Sequence, residues 1–230
     1  MNANKITVLI ADDHTIVREA LRLILDNAGD VEVVGEAVNG REAVEKAKAL
    51  QPSVIIMDLG MPLLNGVEAI RQVRRDVPKT RVLVLSTYSE DHFIEDVMEA
   101  GATSYLVKQT ASNYLLQAIR ETTRGNAFFS PSISKRLLQQ ARSAFVEGGK
   151  PTVKKPRLTS RETEVLQLVA EGYANKQIAD VLQVSIKTVE KHRQSVMHKL
   201  NIHEAASLTR YALAAGIVEQ TPGPQVLQAN

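Results

Sequence analysis

The sequence predicts an α/β domain with a doubly wound, five-stranded parallel sheet over residues 5–124, joined to a small all-α domain over residues 157–220. In the first region, five short apolar segments alternate with amphipathic helical segments, which is the pattern of repeated β-α units. The second region has helical periodicity only. A segment rich in glycine, proline and lysine separates the two regions, and 230 residues suffice for two small domains.

The predicted strands are short and rich in valine, isoleucine and leucine, as expected for strands that helices cover on both faces. They fall at residues 6–11, 31–35, 54–58, 81–86 and 104–107. Right-handed crossovers between such strands produce a sheet whose binding sites lie at the carboxyl ends of the strands. The residues at those ends are therefore candidates for function.

Charged side chains stand at three of these ends. Asp12 and Asp13 follow the first strand, Asp58 ends the third, and Lys108 follows the fifth. Clustered carboxylates repel one another unless a divalent cation neutralises them, and Mg²⁺ combines one or two carboxylates with waters and a phosphate oxygen. We therefore predict a Mg²⁺ site that accepts a phosphoryl group.

Asp58 is the predicted nucleophile and would form an acyl phosphate. Lys108 would pair with the added charge, and the hydroxyl of Ser86 or Thr87, at the end of the fourth strand, could bond a phosphoryl oxygen. Each residue by itself could be a capped turn or a surface charge. Their joint placement at strand ends favours one common site.

The segment 5–124 resembles the receiver domain of two-component response regulators. The matching residues are Asp12-Asp13, Met57-Asp58-Leu59-Gly60-Met61-Pro62, Asn65-Gly66, Ser86 and Lys108. The resemblance implies a flavodoxin-like sheet with strand order 2-1-3-4-5. It also implies that Asp58 takes phosphate from a sensor histidine kinase.

The same resemblance implies a ligand set and a switch. Mg²⁺ would be held by Asp13, Asp58 and the backbone carbonyl of Gly60, with Asp12 helping through water. Ser86 and Tyr105 match the family's switch pair, in which the hydroxyl moves to the phosphoryl group and the ring turns inward. An ordinary packed aromatic is an equally good interpretation of Tyr105.

Gly60, two residues past Asp58, offers no side chain that could shield an acyl phosphate. This predicts that water reaches the phosphoryl group easily and that its lifetime is short. A half-life of many hours in the isolated protein would contradict that expectation.

Residues 125–156 are predicted to be a linker with one helix at about 131–145, started by Ser130 and Pro131. Charge changes sign along the chain. Residues 1–128 carry 14 basic and 18 acidic side chains, a net of −4, whereas residues 129–230 carry 14 and 8, a net of +6. Unless this is chance surface variation, only the second half meets a polyanion.

The second domain is predicted to contain a helix-turn-helix. Thr159 to Glu162 form a capping box, and two later helices, 176–182 and 186–200, are joined by a tight turn. The longer helix carries polar and charged residues on one face, which suits the major groove of DNA. A solvated helix face is the alternative interpretation.

The stretch 158–220 resembles the LuxR-type helix-turn-helix, and with the receiver it places the chain near the NarL/FixJ group of response regulators. The matching residues are Leu158 to Glu162, Val165-Leu166, Gly172, Asn175-Lys176, Ile178-Ala179, Leu182, Ser185, Thr188-Val189, His192, Met197 and Lys199-Leu200. The predicted DNA-binding residues are Lys176, Lys187, Thr188, Glu190, Lys191, Gln194 and Lys199.

A last helix at about 204–215 is predicted to expose a stripe of Leu208, Tyr211, Ala212 and Ala215. The resemblance implies that this helix forms the dimer contact on DNA. The tail, 221–230, has two prolines and no periodicity, and it is predicted to be disordered.

The expected function is a phosphorylation-gated transcription regulator that acts on no separate substrate. The expected partners are a sensor histidine kinase, a double-stranded DNA operator, a second copy of the chain on DNA, and RNA polymerase. Without cysteine, a signal-peptide layout or an apolar segment near ~20 residues, the chain is expected in the cytoplasm and not in a membrane.

Three alternatives remain at this stage. One is a constitutive regulator with a non-phosphorylated receiver, which the intact acid-lysine set disfavours. A second is a Mg²⁺ phosphohydrolase, which would favour an aspartate where Gly60 stands. A third is a ligand-gated regulator, which the β-α repeats disfavour. The sequence also leaves open whether the receiver covers the recognition helix or only fails to dimerise before phosphorylation.

Overall fold

The computed structural model describes residues 5–146 and 158–219. The predicted connecting residues 147–156 and the predicted tail 221–230 lie outside these ranges. The described chain forms a sheet domain, one connecting helix and a helical domain, and the two domains touch each other.

The sheet domain has five parallel strands in the order β2-β1-β3-β4-β5, as predicted. The strands are β1 (Ile6–Ala11), β2 (Val31–Ala37), β3 (Val54–Met57), β4 (Arg81–Ser86) and β5 (Ser104–Val107). The helices of this domain are α1 (Thr15–Asp26), α2 (Gly40–Leu50), α3 (Gly66–Asp76), α4 (Asp91–Ala100) and α5 (Ala111–Arg124). A 3-10 turn, Lys108–Thr110, precedes α5.

Two apolar layers cover the sheet. One joins α2, α3 and α4 to one face, and the other joins α1 and α5 to the opposite face. Strands covered on both sides bury nearly every side chain, so β3 and β5 show no polar-apolar alternation. This burial leaves only the strand ends open to solvent chemistry.

The structure corrects two strand boundaries. β2 runs to Ala37 instead of stopping at Gly35, because the strand bulges between its pairings with Val8 and Leu9. Gly35 also lies against the Leu50 and Leu9 side chains, where a β-carbon would be too close. β3 ends at Met57, so Asp58 is the first residue beyond the strand.

A connecting helix, α6 (Pro131–Val146), follows the sheet domain. Ser130, just before it, is fully buried, and its hydroxyl accepts a hydrogen bond from the Val107 amide at 2.9 Å. The start of α6 is thereby fixed beside the end of β5. Ile133 of α6 belongs to the apolar layer under α4.

The helical domain consists of α7 (Ser160–Ala170), α8 (Asn175–Leu182), α9 (Ile186–Leu200) and α10 (Ala205–Ala214). Gln183, in the left-handed conformation at φ 53°, ends α8, and the Ser185 hydroxyl caps α9 by accepting from the Thr188 amide. This short connection makes α8 and α9 a helix-turn-helix. No helix within the described ranges has the length and apolar character needed to cross a membrane.

Candidate functional site

The predicted acidic residues lie together at the carboxyl edge of the sheet. Asp12 follows β1 and Asp58 follows the neighbouring strand β3, and both carboxylates are at most 2% exposed. The Lys108 ammonium lies 2.8 Å from Asp12 Oδ2 and 3.0 Å from Asp58 Oδ2. One cation therefore bridges two buried carboxylates that follow different strands.

Burial is the main cause that raises the pKa of Asp58, to about 6. The Lys108 ammonium opposes this shift, and the negative charge of Asp12 adds to it. The pKa of Lys108 is raised despite its burial, since the carboxylates of Asp58 and Asp12 favour the ammonium form. The carboxylates and the ammonium in this pocket thus interact strongly, and a bound divalent cation would neutralise part of the carboxylate charge.

The residues present fit a small oxygen-binding cation. Asp12, Asp13, His14 and Asp58 each offer a ligand atom, and these atoms lie within 4.8 Å of one another. Three of the four are carboxylates, which suit a hard cation such as Mg²⁺ better than the softer transition metals. The donor set is therefore consistent with metal binding.

Sequence reasoning missed two residues that shape this pocket. The buried Arg18 side chain of α1 donates to the backbone carbonyls of Asp12 (2.9 Å) and Asp13 (3.1 Å), which holds the β1–α1 turn. His14 Nδ1 lies 2.7 Å from Asp13 Oδ1. The sequence shows an arginine one turn into the first helix, but not that its side chain is buried.

The hydroxyl residues beyond β4 occupy different environments. Ser86 is fully buried, and its oxygen accepts from the Tyr88 amide at 3.1 Å, whereas Thr87 is exposed. Tyr105 is fully buried too, and its hydroxyl donates to the Tyr88 carbonyl at 2.7 Å. The ring of Tyr105 is thus turned inward in this structure.

The sequence suggested that the site beside Gly60 is open to water, but in the structure another side chain covers it. A β-carbon at Gly60 would collide with the side chain of Glu219, which comes from the end of the helical domain. Burial raises the pKa of Glu219, Lys108 opposes this shift, and the carboxylates of Asp13 and Asp12 contribute to it. A residue about 160 positions away in the chain, and invisible to any local motif, therefore completes the wall of the pocket.

Helix α7 and its C-cap residue bind the β3–α3 loop, which directly follows Asp58, through hydrogen bonds. Gln167 is fully buried; its side-chain amide donates to the Met61 carbonyl at 3.0 Å and its side-chain carbonyl accepts from the Asn65 amide at 2.8 Å. The Glu171 carboxylate accepts from the Leu63 amide at 3.1 Å. The loop that begins at the phosphoacceptor candidate is therefore the loop that the helical domain holds.

One predicted DNA-binding face is exposed. Lys187, Thr188, Glu190, Lys191 and Gln194 line one shallow surface depression on α9, together with Ser185 and His192. All of the charged side chains in this group are exposed, so the receiver does not cover this face of the recognition helix. Lys176 lies exposed on α8, the preceding helix.

Lys199, which was also predicted to bind DNA, is not among the residues that line this depression. Its ammonium lies 2.7 Å from Glu162 Oε2 on α7, inside the domain's own hydrogen-bond network. This ion pair joins α9 to α7, and DNA binding by Lys199 stays a prediction.

The predicted dimer stripe on α10 is also corrected. Leu208 and Ala212 are at most 1% exposed and belong to the core of their own domain, whereas Tyr211 and Ala215 are partly exposed. A helix of small apolar residues carries little information on which face is buried. In addition, Arg210, Leu213, Ala214 and Val218 line a cleft with Tyr88 of the receiver.

We predict that Glu162→Gln destabilises the helical domain by about 1–3 kcal/mol, because a buried hydrogen-bonded charge would be lost. Burial raises the pKa of Glu162, but hydrogen bonds from Lys199, Ser195 and Thr159 outweigh it and hold the pKa at about 2. The folded-state pKa thus lies below the ordinary 4.5, so the contribution is present above pH 4.5 and is lost as pH falls towards 2.

Thermal unfolding of the wild type and Glu162→Gln across this pH range measures the effect. The exposed Glu190→Gln variant in the same domain is the control. A stability difference that persists unchanged at the acidic end of the range would refute the role of the Glu162 charge.

Comparisons with known proteins agree with this architecture. A family model described as the response regulator receiver domain matches residues 8–120, and one described as bacterial regulatory proteins, LuxR family, matches residues 156–212. The chain is 36% identical over 216 residues to the response regulator protein VraR of Staphylococcus aureus, covering 93% of this chain and 99% of VraR.

Solved structures give the same result. The chain is similar to the RcsB response regulator of Salmonella typhimurium, with 31% identity, a TM-score of 0.62 and coverage of 92% of this chain and 98% of RcsB. It is also similar to RcsB in a complex with DNA, at 31% identity and a TM-score of 0.56, covering 92% of this chain and 99% of that one.

The fold and the strand-end site define a two-domain regulator with a receiver and a DNA-binding helix-turn-helix. The chain belongs to the response regulators that carry a LuxR-type DNA-binding domain, as the sequence predicted.

Proposed function

We propose that this protein is a DNA-binding transcription regulator controlled by phosphorylation of Asp58. The observation that carries the proposal is the Asp58 carboxylate, buried at the sheet edge and bridged by Lys108 to Asp12. A carboxylate with only a structural role at the surface would not need to be buried and bridged by a lysine to a second carboxylate. The phosphate donor is proposed to be a sensor histidine kinase, because the chain belongs to the response regulators.

A Mg²⁺ ion held by Asp13, Asp58 and the Gly60 backbone carbonyl, with Asp12 through water, would neutralise charge on the transferred group. An Asp58 carboxylate oxygen attacks the phosphorus atom, the P–N bond of the donor phosphohistidine breaks, and the imidazole keeps the electron pair and takes up a proton. The Lys108 ammonium then pairs with a phosphoryl oxygen, to which the Ser86 or Thr87 hydroxyl donates a hydrogen bond.

This chemistry modifies the protein itself. The chain catalyses transfer to its own Asp58 and the slow hydrolysis of the resulting acyl phosphate, so we propose that it is not an enzyme with a separate substrate. We propose that the Ser86 hydroxyl turns from the Tyr88 amide towards a phosphoryl oxygen. Tyr88 also accepts from Tyr105, so this movement is proposed to pass to the switch residue Tyr105.

The DNA contact is proposed to be the exposed face of α9. Lys187 and Thr188 lie in its first turn, where they would contact phosphates, and Glu190, Lys191 and Gln194 would face base edges in the major groove. The similarity to RcsB in its DNA complex supports this assignment. A homodimer on an operator, contact with RNA polymerase and a cytoplasmic location complete the proposal.

Lys187→Ala is expected to weaken binding of all duplex sequences to a similar extent. One phosphate contact would be lost, so the slope of log affinity against log salt concentration should become shallower by about one. Fluorescence anisotropy with operator and random duplexes at several salt concentrations measures this. Lys135→Ala, which removes an exposed lysine from α6, is the control, and an equal loss in both variants would contradict the assignment.

One observation favours a second function, a constitutive DNA-binding regulator whose receiver is not phosphorylated. The recognition face is exposed while the domains are in contact, so the receiver does not block it sterically. The test is intact mass with acetyl phosphate and Mg²⁺, followed by DNA binding before and after the treatment. An unchanged wild-type mass, or identical DNA affinity in both states, would contradict phosphorylation control.

A further inference from the structure

The segment Gly216–Glu219, at the end of the described helical domain, lies against the mouth of the receiver's acidic pocket. Gly216 sits so close to the Phe93 ring of α4 that a β-carbon there would collide with it. At the other end of the segment, Glu219 fills the space that a side chain at Gly60 would need. Two glycines, one in each domain, thus make room for this approach.

The end of this segment is held in place by its packing in the helical domain and by its contact with the receiver. Val218 is 8% exposed and belongs to the apolar core of the helical domain. In the receiver, burial and the negative charge of Glu219 raise the pKa of the Tyr88 hydroxyl to about 12. Because the backbone before Glu219 is packed and its side chain lies against Gly60, the carboxylate is held at the pocket.

The Glu219 carboxylate lies among the charged groups of the proposed phosphoryl-binding site. The Lys108 ammonium attracts its carboxylate, while Asp12 and Asp13 repel it. A phosphoryl group on Asp58 would bring between one and two negative charges to the same place and would seek the same ammonium. The two anions therefore compete for one position.

We propose that Glu219 is a built-in competitor of the phosphoryl group: its carboxylate occupies the pocket beside Gly60, so that phosphorylation of Asp58 requires Gly216–Glu219 to withdraw. The proposal rests on the proposed role of Asp58 as the phosphoacceptor. It assigns to the DNA-binding domain a residue that controls access to the receiver's site. Docking of this segment and phosphorylation oppose each other.

The test compares phosphorylation rates of full-length variants with acetyl phosphate and Mg²⁺, followed by intact mass. Glu219→Gln keeps the volume and removes the charge, and Glu219→Ala removes both. Glu204→Gln, an exposed position before α10 in the same domain, removes the same charge away from the receiver and is the matched control. We expect Glu219→Gln to be phosphorylated about fivefold faster or more, the lower end of typical couplings between sites.

A second measurement tests whether phosphorylation of Asp58 displaces the segment. Hydrogen exchange of the backbone amides at 216–218 should accelerate when wild-type Asp58 is phosphorylated. Equal phosphorylation rates for the wild type, both Glu219 variants and Glu204→Gln would overturn the proposal while leaving the phosphoacceptor role intact. If no variant gains a phosphoryl group, the proposed function and this inference both fail.

Discussion

Asp58→Asn is expected to abolish phosphorylation, so that its mass stays constant under acetyl phosphate and Mg²⁺ conditions in which the wild type gains one phosphoryl group. The amide is nearly isosteric with the carboxylate but is not a nucleophile towards phosphorus, and it no longer pairs with Lys108. DNA binding of Asp58→Asn should therefore remain at the level of the untreated wild type.

The control for this experiment is Asp30→Asn. Asp30 is an exposed carboxylate paired with Arg120, far from the strand-end pocket, and its removal should leave phosphorylation unchanged. Phosphorylation of Asp58→Asn at a wild-type rate would show that the acceptor is another residue. Loss in both variants would indicate general damage to the fold.

Leu208→Ala is expected to destabilise the helical domain by about 2–5 kcal/mol, since it removes a fully packed side chain from the core and leaves a cavity. Leu208 is 1% exposed and packs with the buried residues of α7, α8 and α9. The substitution should thus reduce binding to a half-site and to a complete operator alike, because it lowers the folded fraction of the domain that binds both.

Urea unfolding of the helical domain, followed by circular dichroism, measures the effect. The matched control is Leu23→Ala on α1, which deletes the same atoms from a side chain that is 67% exposed. If Leu208→Ala were as stable as Leu23→Ala and impaired only the binding to a two-half-site operator, Leu208 would be a dimer contact after all.

Much of the receiver fold could be predicted because its signals are local. Strands buried on both faces appear as apolar runs, and the functional side chains follow them directly, so Asp12, Asp58 and Lys108 could be placed at one edge without any structure. The boundary at Gly35 was missed because a bulge allows a strand to continue through a glycine.

What the sequence could not show is the relation between distant segments. Gln167 looks like an ordinary helix residue, yet it is buried in hydrogen bonds to the receiver. Glu219 lies beyond any motif and still reaches Gly60. On α10, periodicity predicted a helix but not its orientation, because small apolar residues occur on several of its faces.

The backbone strain of Leu63 depends on the contact between the two domains. This residue has φ 66°, a left-handed conformation that costs a branched side chain about 1–3 kcal/mol. Its amide donates to Glu171 and its side chain packs on the core of the helical domain, so the docked neighbour offsets the strain. If that neighbour withdraws, the strain is no longer offset, and we expect the loop to relax. The Gly60 carbonyl, a proposed metal ligand three residues earlier in the chain, would then shift, so separation of the domains would also change the preorganisation of the proposed metal site.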